Sequence, residues 1–546
     1  MNKRNLLGLL LLIILSGGLQ GQTKASRPRV VVGIVVDQMR WDYLKRYESR
    51  YGNDGFRRLM REGFSCDNVS IDYVPTVTAI GHASIYTGTV PSIHGIAGNN
   101  FRLNNRWVYC TSDASTQTVG SDNNNGRMSP RNLQSTTIGD ELRLATNFRS
   151  KVISISLKDR AAILPGGHTS NGSFWYDGKT GRFITSSFYM EKLPEWVDRF
   201  NRKDQAAMYL NKNWNTLYPI QSYIQSTPDD NDYEDSFEKG QRPVFPIATG
   251  ELLRKQGYSV ICQTPYGNSI VLDMAQAAID GEKLGQGSET DMLAISLSAT
   301  DYVGHQFGPN AIETEDTYLR LDKDLAAFFS YMDKKFGKNN YLLFLTADHA
   351  GAHNLTFLKE HKLPAGGMDF PTTLARLNKT IGEKLNFGAR IIERVDNYQV
   401  FLNNSRIDSA GLDRSKIIDL LVDELYSIPG IAYALPLKKA AEAPIPASIK
   451  ERIINGYNHE RSGDIQFIVK PGWYDTYSST DTRGATHGVW CPYDSHIPLL
   501  FMGWKISSGR TTIPLHMTDI APTITALLGI QQPNGCIGNP IEPVMR

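Results

Sequence analysis

The chain has 546 residues, 41% of them hydrophobic, so it is long enough to bury at least one large core. Its 58 lysines and arginines nearly balance its 56 aspartates and glutamates, which leaves a formal net charge of +2. Because no dense basic stripe accompanies this balance, the sequence argues against nucleic acid or an anionic membrane surface as the main partner.

The first 21 residues have the pattern of a secretory signal peptide. Lys3 and Arg4 precede an apolar run over residues 6–15, and small residues follow as far as Gly21. That run is about half of what a helix needs to cross a bilayer, and we find no later stretch of transmembrane length. We therefore predict a periplasmic or secreted protein without residues 1–21 and without a transmembrane segment.

Apolar strand patterns alternate with helical patterns along the rest of the chain, which predicts an α/β fold with a mostly parallel sheet. The predicted strands cover residues 29–36, 151–157, 292–297, 341–345 and 497–502, and the predicted helices cover residues 78–87, 315–336 and 518–528. We expect Thr518 or Asp519 to cap the last helix and Gly529 to end it. Two stretches, at about 165–246 and 374–482, interrupt this alternation of strand and helix patterns. We predict that both are insertions that cap one catalytic domain, 29–546.

Carboxylates and imidazoles follow the predicted strands at equivalent points. In an open α/β sheet ligands bind beyond the carboxyl ends of the strands, so these side chains should converge. The converging residues are Asp37 after the first strand, Asp301 and His305 after the third, Asp348 and His349 after the fourth, and His487 in a glycine-flanked loop before the fifth. A mixture of Asp and His suits Zn²⁺ better than Mg²⁺ or Ca²⁺. Any one of them alone would be a turn residue or a structural histidine, but six together indicate a metal site.

A candidate nucleophile lies in residues 75–88, which have the pattern of a loop followed by a short helix that Gly88 ends. Thr78 falls at or next to the N-terminus of this helix, where unpaired N–H groups favour an anion. A threonine hydroxyl is a weak nucleophile, and a coordinated metal would activate it. Thr76 is a rival for the same role, and a simple N-cap is the alternative for Thr78 alone.

Three further side chains are suited to binding phosphate. Lys158 and Arg160 follow the second strand, and in an extended chain residues two apart point the same way, so one phosphate could contact both. Asn99 lies in a turn and could donate an amide hydrogen bond to a phosphoryl oxygen. As a separate motif, Lys-x-Arg is equally consistent with a solvated surface pair.

The five cysteines form no C-x-x-C pair, which argues against a thiolate zinc site. For an exported protein we predict two disulfides, Cys66–Cys110 and Cys491–Cys536, and one free thiol, Cys262.

In this order, the metal-ligand candidates and Thr78 resemble the alkaline phosphatase superfamily, and more narrowly its PafA-type phosphate-irrepressible enzymes. The matching stretches include PTVTAIGHASIYTG, SLKDRAAILPGGH, DYVGHQFGP, TADHAG and ATHG, and they span most of residues 29–528. The resemblance implies an alkaline-phosphatase-like core with a central, mostly parallel sheet flanked by helices, plus cap insertions.

The resemblance also implies two zinc ions. Asp301, His305 and His487 would hold one of them. The second would be held by Asp37, Asp348, His349 and the oxygen of Thr78. Lys158, Arg160 and Asn99 would bind the phosphoryl oxygens. We find no ligand cluster for a separate magnesium ion.

The activity implied is hydrolysis of a broad range of small phosphate monoesters through a covalent phosphothreonine at Thr78, by a monomer. The alternative is a phosphodiesterase or nucleotide pyrophosphatase of the same superfamily, which shares the metal ligands and the threonine but lacks the Lys-x-Arg pair. The sequence argues against a sulfatase, whose nucleophile comes from Cys or Ser in a C/S-x-P-x-R motif, because none of the five cysteines lies in one. A third hypothesis is a protein that binds zinc or phosphorylated glycans without catalysing a reaction.

Overall fold

The computed structural model describes residues 27–388, 390–476 and 482–546, so the predicted signal peptide lies outside the described residues. A large sheet forms the centre of the molecule. Its strands, in spatial order, are Gly509–Thr511, Phe64–Ser70, His496–Gly503, Tyr341–Thr346, Val30–Val36, Asp291–Leu297, Val152–Ser156, Gly172–Asp177, Arg182–Ser186 and Thr118–Val119, and Leu515–His516 pairs with Phe64–Ser70.

The middle of this sheet is parallel. Val30–Val36 pairs in parallel with both Tyr341–Thr346 and Asp291–Leu297, and Val152–Ser156 continues the parallel order beyond Asp291–Leu297. His496–Gly503 pairs antiparallel with its neighbour Tyr341–Thr346. Every residue of Val30–Val36 is buried, as expected for a β-branched strand covered on both faces. The predicted mostly parallel α/β fold is therefore confirmed.

Helices cover this sheet. Tyr266–Gly281 contacts Asp291–Leu297 and Val152–Ser156, while Asp159–Gly166 contacts Val152–Ser156 and Gly172–Asp177. The α-helices among the described residues are Tyr43–Arg46, Phe56–Glu62, Thr78–Thr87, Pro91–His94, Ile138–Ala145, Asp159–Gly166, Glu195–Asn201, Gln205–Leu210, Thr249–Gln256, Tyr266–Gly281, Ala299–Phe307, Ile312–Phe336, Leu355–Glu360, Phe370–Lys384, Asn404–Ser409, Arg414–Tyr426, Ala447–Gly456, Pro492–Ser495 and Ile520–Leu528. None of the helices in this part of the chain is both long enough and apolar enough to cross a membrane.

Two predicted helices end at the glycines that the sequence indicated. The helix Thr78–Thr87 ends at Gly88, which has a φ of 66°, and Ile520–Leu528 ends at Gly529, with a φ of 64°. Both values lie in the left-handed region that glycine adopts without strain. Asp519 precedes the last helix, as one of the two predicted caps, but its side chain makes no capping hydrogen bond.

A smaller sheet lies within the second predicted insertion, 374–482. Its four strands are, in spatial order, Ile392–Asp396, Gln399–Leu402, Ile465–Val469 and Ile431–Pro436. With the helices Phe370–Lys384 and Arg414–Tyr426 it surrounds a hydrophobic core of its own. The first predicted insertion, 165–246, begins differently, because Gly172–Asp177 and Arg182–Ser186 extend the main sheet. The division into one catalytic domain with two insertions stays a prediction.

The predicted disulfides are wrong, because all five cysteines are described and all five are free. Cys491 belongs to the core of the smaller sheet, whereas Cys536 lies in the C-terminal segment, where its Sγ is next to Gly88. Cys66 is in a strand of the main sheet and Cys110 follows a separate hairpin. Sequence order does not show which thiols the fold brings together.

Candidate metal centre and catalytic site

The predicted metal ligands meet at one edge of the main sheet. Asp37 comes directly after the strand Val30–Val36, and its backbone N–H donates to Leu297 O at 3.2 Å, at the end of the neighbouring strand. Asp348 and His349 follow the strand on the other side, Tyr341–Thr346. All of these side chains are buried. The parallel order of the three strands therefore gathers residues that are far apart in sequence.

One group that could hold a metal ion consists of Asp301, His305 and His487, with one ligand atom of each within 4.8 Å of the others. Asp301 and His305 are four residues apart in the helix Ala299–Phe307, so they share a helix face, and Asp301 Oδ1 lies 3.2 Å from His305 Nε2. His487 lies in a loop, and its Nε2 is 3.5 Å from Asp301 Oδ1.

A second group consists of Asp37, Asp301 and His349. Asp348 adjoins it, with Oδ2 3.4 Å from His349 Nε2. Two oxygens here, Asp37 Oδ1 and Asp348 Oδ2, are buried and accept no hydrogen bond from the described residues. Buried carboxylate oxygens without a partner are costly, and a cation bound between them would satisfy both. The donor set therefore fits a metal ion.

The three histidines of these groups share one hydrogen-bonding pattern. Each uses Nδ1 to contact a backbone carbonyl: His305 contacts Ala485 O at 2.9 Å, His349 contacts Ala350 O at 2.9 Å, and His487 contacts Thr76 O at 2.7 Å. A carbonyl can only accept, so each Nδ1 carries a proton, and in the neutral ring the lone pair is then on Nε2. This arrangement is typical of imidazoles that bind metals.

The electrostatic environment of these side chains also favours the binding of a cation. Burial, Asp301 and Asp348 raise the pKa of Asp37 well above its usual range. Burial and the nearby His349 and His305 hold the pKa of His487 well below its usual range. The rings of His349 and His487 are stacked with centroids 3.6 Å apart. Protonating both rings would place two like charges face to face, so neutral imidazoles are favoured.

The structure separates the two threonine candidates. Thr78 is the first residue of its helix, and its Oγ1 lies 3.5 Å from His349 Nε2 and 3.4 Å from Lys158 Nζ. The Thr76 hydroxyl instead donates to Val489 O at 3.0 Å. Of the two, Thr78 therefore faces the Asp/His groups.

Lys158 lies inside the site. Its Nζ donates to Asp37 Oδ2 at 2.8 Å and to Asp301 Oδ2 at 2.5 Å. Burial alone would lower the pKa of Lys158, but Asp301 and Asp37 outweigh it and raise that pKa, so the ammonium stays charged. Lys158 thereby contacts both carboxylates of the second group, and one of these, Asp301, also belongs to the first.

Arg160 and Asn99 flank the threonine and lysine less directly. A helix begins at Asp159, so Lys158 and Arg160 do not lie on the extended chain that alternation predicted. The Arg160 guanidinium donates to Tyr109 Oη at 3.0 Å. Asn99 Oδ1 accepts from the N–H of Ala79 at 3.0 Å, next to Thr78, which leaves the Asn99 NH₂ group to donate to an anion.

Sequence reasoning missed two residues that hold the ligands in place. The His82 ring contacts Thr78 O through Nδ1 at 2.9 Å, and the same nitrogen lies 3.3 Å from Asp348 Oδ2. His82 is four residues after Thr78 in one helix, and this spacing was the available signal. Gln38 donates from Nε2 to Asp301 Oδ1 at 2.8 Å and from its backbone N–H to Asp348 Oδ1 at 3.2 Å. No motif marked Gln38.

Comparisons with known proteins show the family to which the chain belongs. Residues 31–490 match the family model of type I phosphodiesterase/nucleotide pyrophosphatase. The chain is 50% identical to alkaline phosphatase PafA of Elizabethkingia meningoseptica, over 100% of this chain and 99% of that one. It is 52% identical to alkaline phosphatase PhoV of Synechococcus elongatus, over 95% and 94% of the two chains. A Myroides odoratus protein named calcium-transporting ATPase is 49% identical over 95% of each chain.

A solved structure is similar over nearly the whole chain. The crystal structure of wild-type alkaline phosphatase PafA matches with a TM-score of 0.93 at 50% identity, covering 96% of this chain and 100% of that one.

Proposed function

Because this chain belongs to the type I phosphodiesterase/nucleotide pyrophosphatase family, and within the alkaline phosphatase superfamily to the PafA-type enzymes, we propose that it is an alkaline phosphatase that hydrolyses phosphate monoesters and releases inorganic phosphate. One observation carries the proposal. A threonine hydroxyl, Thr78, lies 3.4 Å from a buried ammonium, Lys158, beside two Asp/His groups. A nucleophile, a phosphate-binding cation and metal ligands thus meet at one point.

The proposed cofactors are two zinc ions. Asp301, His305 and His487 would hold one. Asp37, Asp348 and His349 would hold the other together with the oxygen of Thr78. The free Nε2 atoms and the unpartnered carboxylate oxygens support this assignment, since imidazole and carboxylate are ligands that Zn²⁺ accepts. Zinc bound by these residues would supply charge stabilisation for the oxygens that attack and leave phosphorus, and would make the Thr78 hydroxyl easier to deprotonate.

Thr78 is the proposed nucleophile. Its Oγ1 gives up its proton to water and attacks phosphorus in line, the bond from phosphorus to the ester oxygen breaks, and the departing oxygen leaves with the electron pair and takes up a proton from water. A water oxygen then gives up a proton and attacks the phosphothreonine, the bond from phosphorus to Oγ1 breaks, Oγ1 takes up a proton, and phosphate is released. Thr78 is the first residue of the helix Thr78–Thr87, and the positive end of the helix dipole favours negative charge there in both steps.

The phosphoryl oxygens would be bound by Lys158, Arg160 and Asn99. A monoester is a dianion near neutral pH, whereas a diester carries one charge and a second ester group. Two cations and an amide NH₂ suit the dianion better, which supports monoester over diester hydrolysis. We propose small monoesters of broad range as substrates, a monomeric enzyme, and a periplasmic or secreted location after removal of residues 1–21.

The experiment for this proposal is the replacement Thr78→Ala. We expect phosphate release from a monoester to fall by on the order of 10³-fold or more while bound zinc, measured by elemental analysis, is retained. The matched control is Thr76→Val, which removes the neighbouring hydroxyl and should cost about 1–2 kcal/mol of stability but keep most turnover. A Thr78→Ala enzyme with a near-normal rate and normal zinc would contradict the covalent role.

A further inference from the structure

A separate group of unpartnered oxygens lies beneath the acidic loop 229–238. Glu313, in the first turn of Ile312–Phe336, is 0% exposed, and Glu234 in the loop is 4% exposed. Within the described part of the chain, neither carboxylate oxygen of Glu313 has a hydrogen-bond partner, and neither does Glu234 Oε2. The other Glu234 oxygen accepts from Asn231 Nδ2 at 2.7 Å. Three buried carboxylate oxygens are therefore left without a donor.

A fourth buried oxygen belongs to the same place. The Gln306 side chain donates from Nε2 to Asp235 O at 3.3 Å, and the Asp235 N–H donates back to Gln306 O at 2.8 Å. The Gln306 amide is thereby held against the residue that follows Glu234, and its Oε1 is buried without a partner among the described residues. Thr227, two residues before the loop, donates from its N–H to Asn310 O at 2.8 Å, so the chain that enters the loop contacts the turn that leads to Glu313.

The local charges make this group unfavourable without a counter-ion. Burial and the carboxylates of Glu234 and Asp229 raise the pKa of Glu313 well above its usual range. Burial also raises the pKa of Glu234 to about 8. Two buried acids that raise each other's energy in this way are relieved either by taking up protons or by binding a cation.

We propose that Glu234, Glu313 and the amide oxygen of Gln306 bind a calcium ion, distinct from the two proposed zinc ions. All the ligand atoms are hard oxygens, the two carboxylates balance the charge of Ca²⁺, and waters would complete its six to eight ligands. Imidazole and thiolate, which would favour a transition metal, do not take part in this set.

Such an ion would stabilise the segments that carry two histidines of the catalytic site. Gly484 N–H donates to Tyr233 O at 2.7 Å, and Ala485 O in turn accepts from His305 Nδ1 at 2.9 Å. Gln306 follows His305 directly. Calcium bound to Glu234 would therefore hold the loop 229–238 against two segments. One is the helix Ala299–Phe307, which carries His305, and the other is the segment that leads to His487.

The test uses the full protein, stripped of metals with a chelator, reloaded with two equivalents of zinc and titrated calorimetrically with CaCl₂. We expect one calcium ion to bind per chain and the thermal midpoint to rise. Glu234→Gln and Glu313→Gln should each abolish this binding without loss of zinc. Asp232→Asn is the matched control, since it removes a carboxylate of the same loop whose side chain is 79% exposed, and it should bind calcium normally.

Two results would overturn the proposal. A zinc-loaded wild-type protein that binds no calcium would mean that protons neutralise Glu234 and Glu313. Calcium binding that survives Glu234→Gln would place the ion elsewhere, and this variant decides the matter even if Glu313→Gln fails to fold. Neither result bears on phosphatase activity, which is measured separately.

Discussion

At the scale of single residues, Lys158 connects the two halves of the catalytic site. Its ammonium contacts Asp37 and Asp301, one carboxylate from each proposed zinc set, and lies 3.4 Å from Thr78 Oγ1. A phosphoryl group attacked by Thr78 would arrive within reach of the same ammonium. In the proposed mechanism, Lys158 is thus the residue on which a preference for a dianionic substrate would depend most.

We predict that Lys158→Ala lowers the rate of monoester hydrolysis by about 10²-fold, because a charged donor to the transferring phosphoryl group is lost. The rate with a diester should fall much less, since a monoanion gains less from the second cation. Steady-state rates with both substrates, at measured zinc content, check this. An equal loss for monoester and diester would show that Lys158 acts only by holding Asp37 and Asp301.

At the scale of elements, the helix Thr78–Thr87 must approach the loop that carries Asp348 very closely. A Cβ on Gly81 would lie 2.3 Å from Asp348 O and 2.6 Å from Asp348 Cβ. Glycine at this position therefore allows the helix that presents Thr78 to pack directly on a metal-ligand segment.

Gly81→Ala tests this packing. Alanine is the better helix former by about 1 kcal/mol, so a helix limited only by propensity would gain stability. We expect the opposite, a lower unfolding midpoint in urea and a reduced kcat, because the backbone of Asp348 cannot move away without displacing its carboxylate. Gly287→Ala is the control, since a Cβ there meets nothing within 4 Å. A stabilised, fully active Gly81→Ala enzyme would contradict this account.

The helix Ile138–Ala145 gives a pH-dependent prediction. Its N-cap Thr137 and Asp140 form a capping box, and Asp140 Oδ2 lies 3.4 Å from His168 Nδ1. The hydrogen bond to Asp140 raises the pKa of His168 above its ordinary 6.5. A raised folded-state pKa contributes stability that is complete below the unfolded value and is lost as pH rises through the folded one.

His168→Asn should therefore be more destabilising at about pH 5.5 than at about pH 8, by less than about 1 kcal/mol because the pair is partly exposed. Urea unfolding of wild type and variant at both pH values measures the difference. His459→Asn, at a side chain 79% exposed, is the matched control for the loss of a histidine. A difference that grows with pH would refute the assignment.

The sequence predicted those features of the fold and the site that depend on neighbouring residues in the chain. Strand positions, the Gly88 and Gly529 stops and the Asp-x-x-x-His pair follow from periodicity and strand ends, so they were predictable. Contacts made only by tertiary packing were not. Two examples are the orientation of Gln38 toward Asp301 and the separation of Cys491 from Cys536. Both depend on which segments the order of strands in the sheet brings together, and no local sequence pattern indicates that order.

At the scale of the whole molecule, the parallel centre of the main sheet gathers the site. Residues from Asp37 to His487 reach it from nearly every part of the chain, so the site exists only when the complete sheet has formed. The smaller sheet, with its own core, lies between Asp348 and His487 in sequence. The helix Ile312–Phe336 joins the Asp301 segment to the strand that ends before Asp348.

The most direct test of the central claim is the ratio of rates for nitrophenyl phosphate and bis-nitrophenyl phosphate, measured at mildly alkaline pH with zinc. We predict that the monoester is favoured by at least on the order of 10²-fold, that chelation abolishes the activity and that zinc restores it. A preference for the diester, or monoester hydrolysis that survives complete removal of metal, would contradict the account.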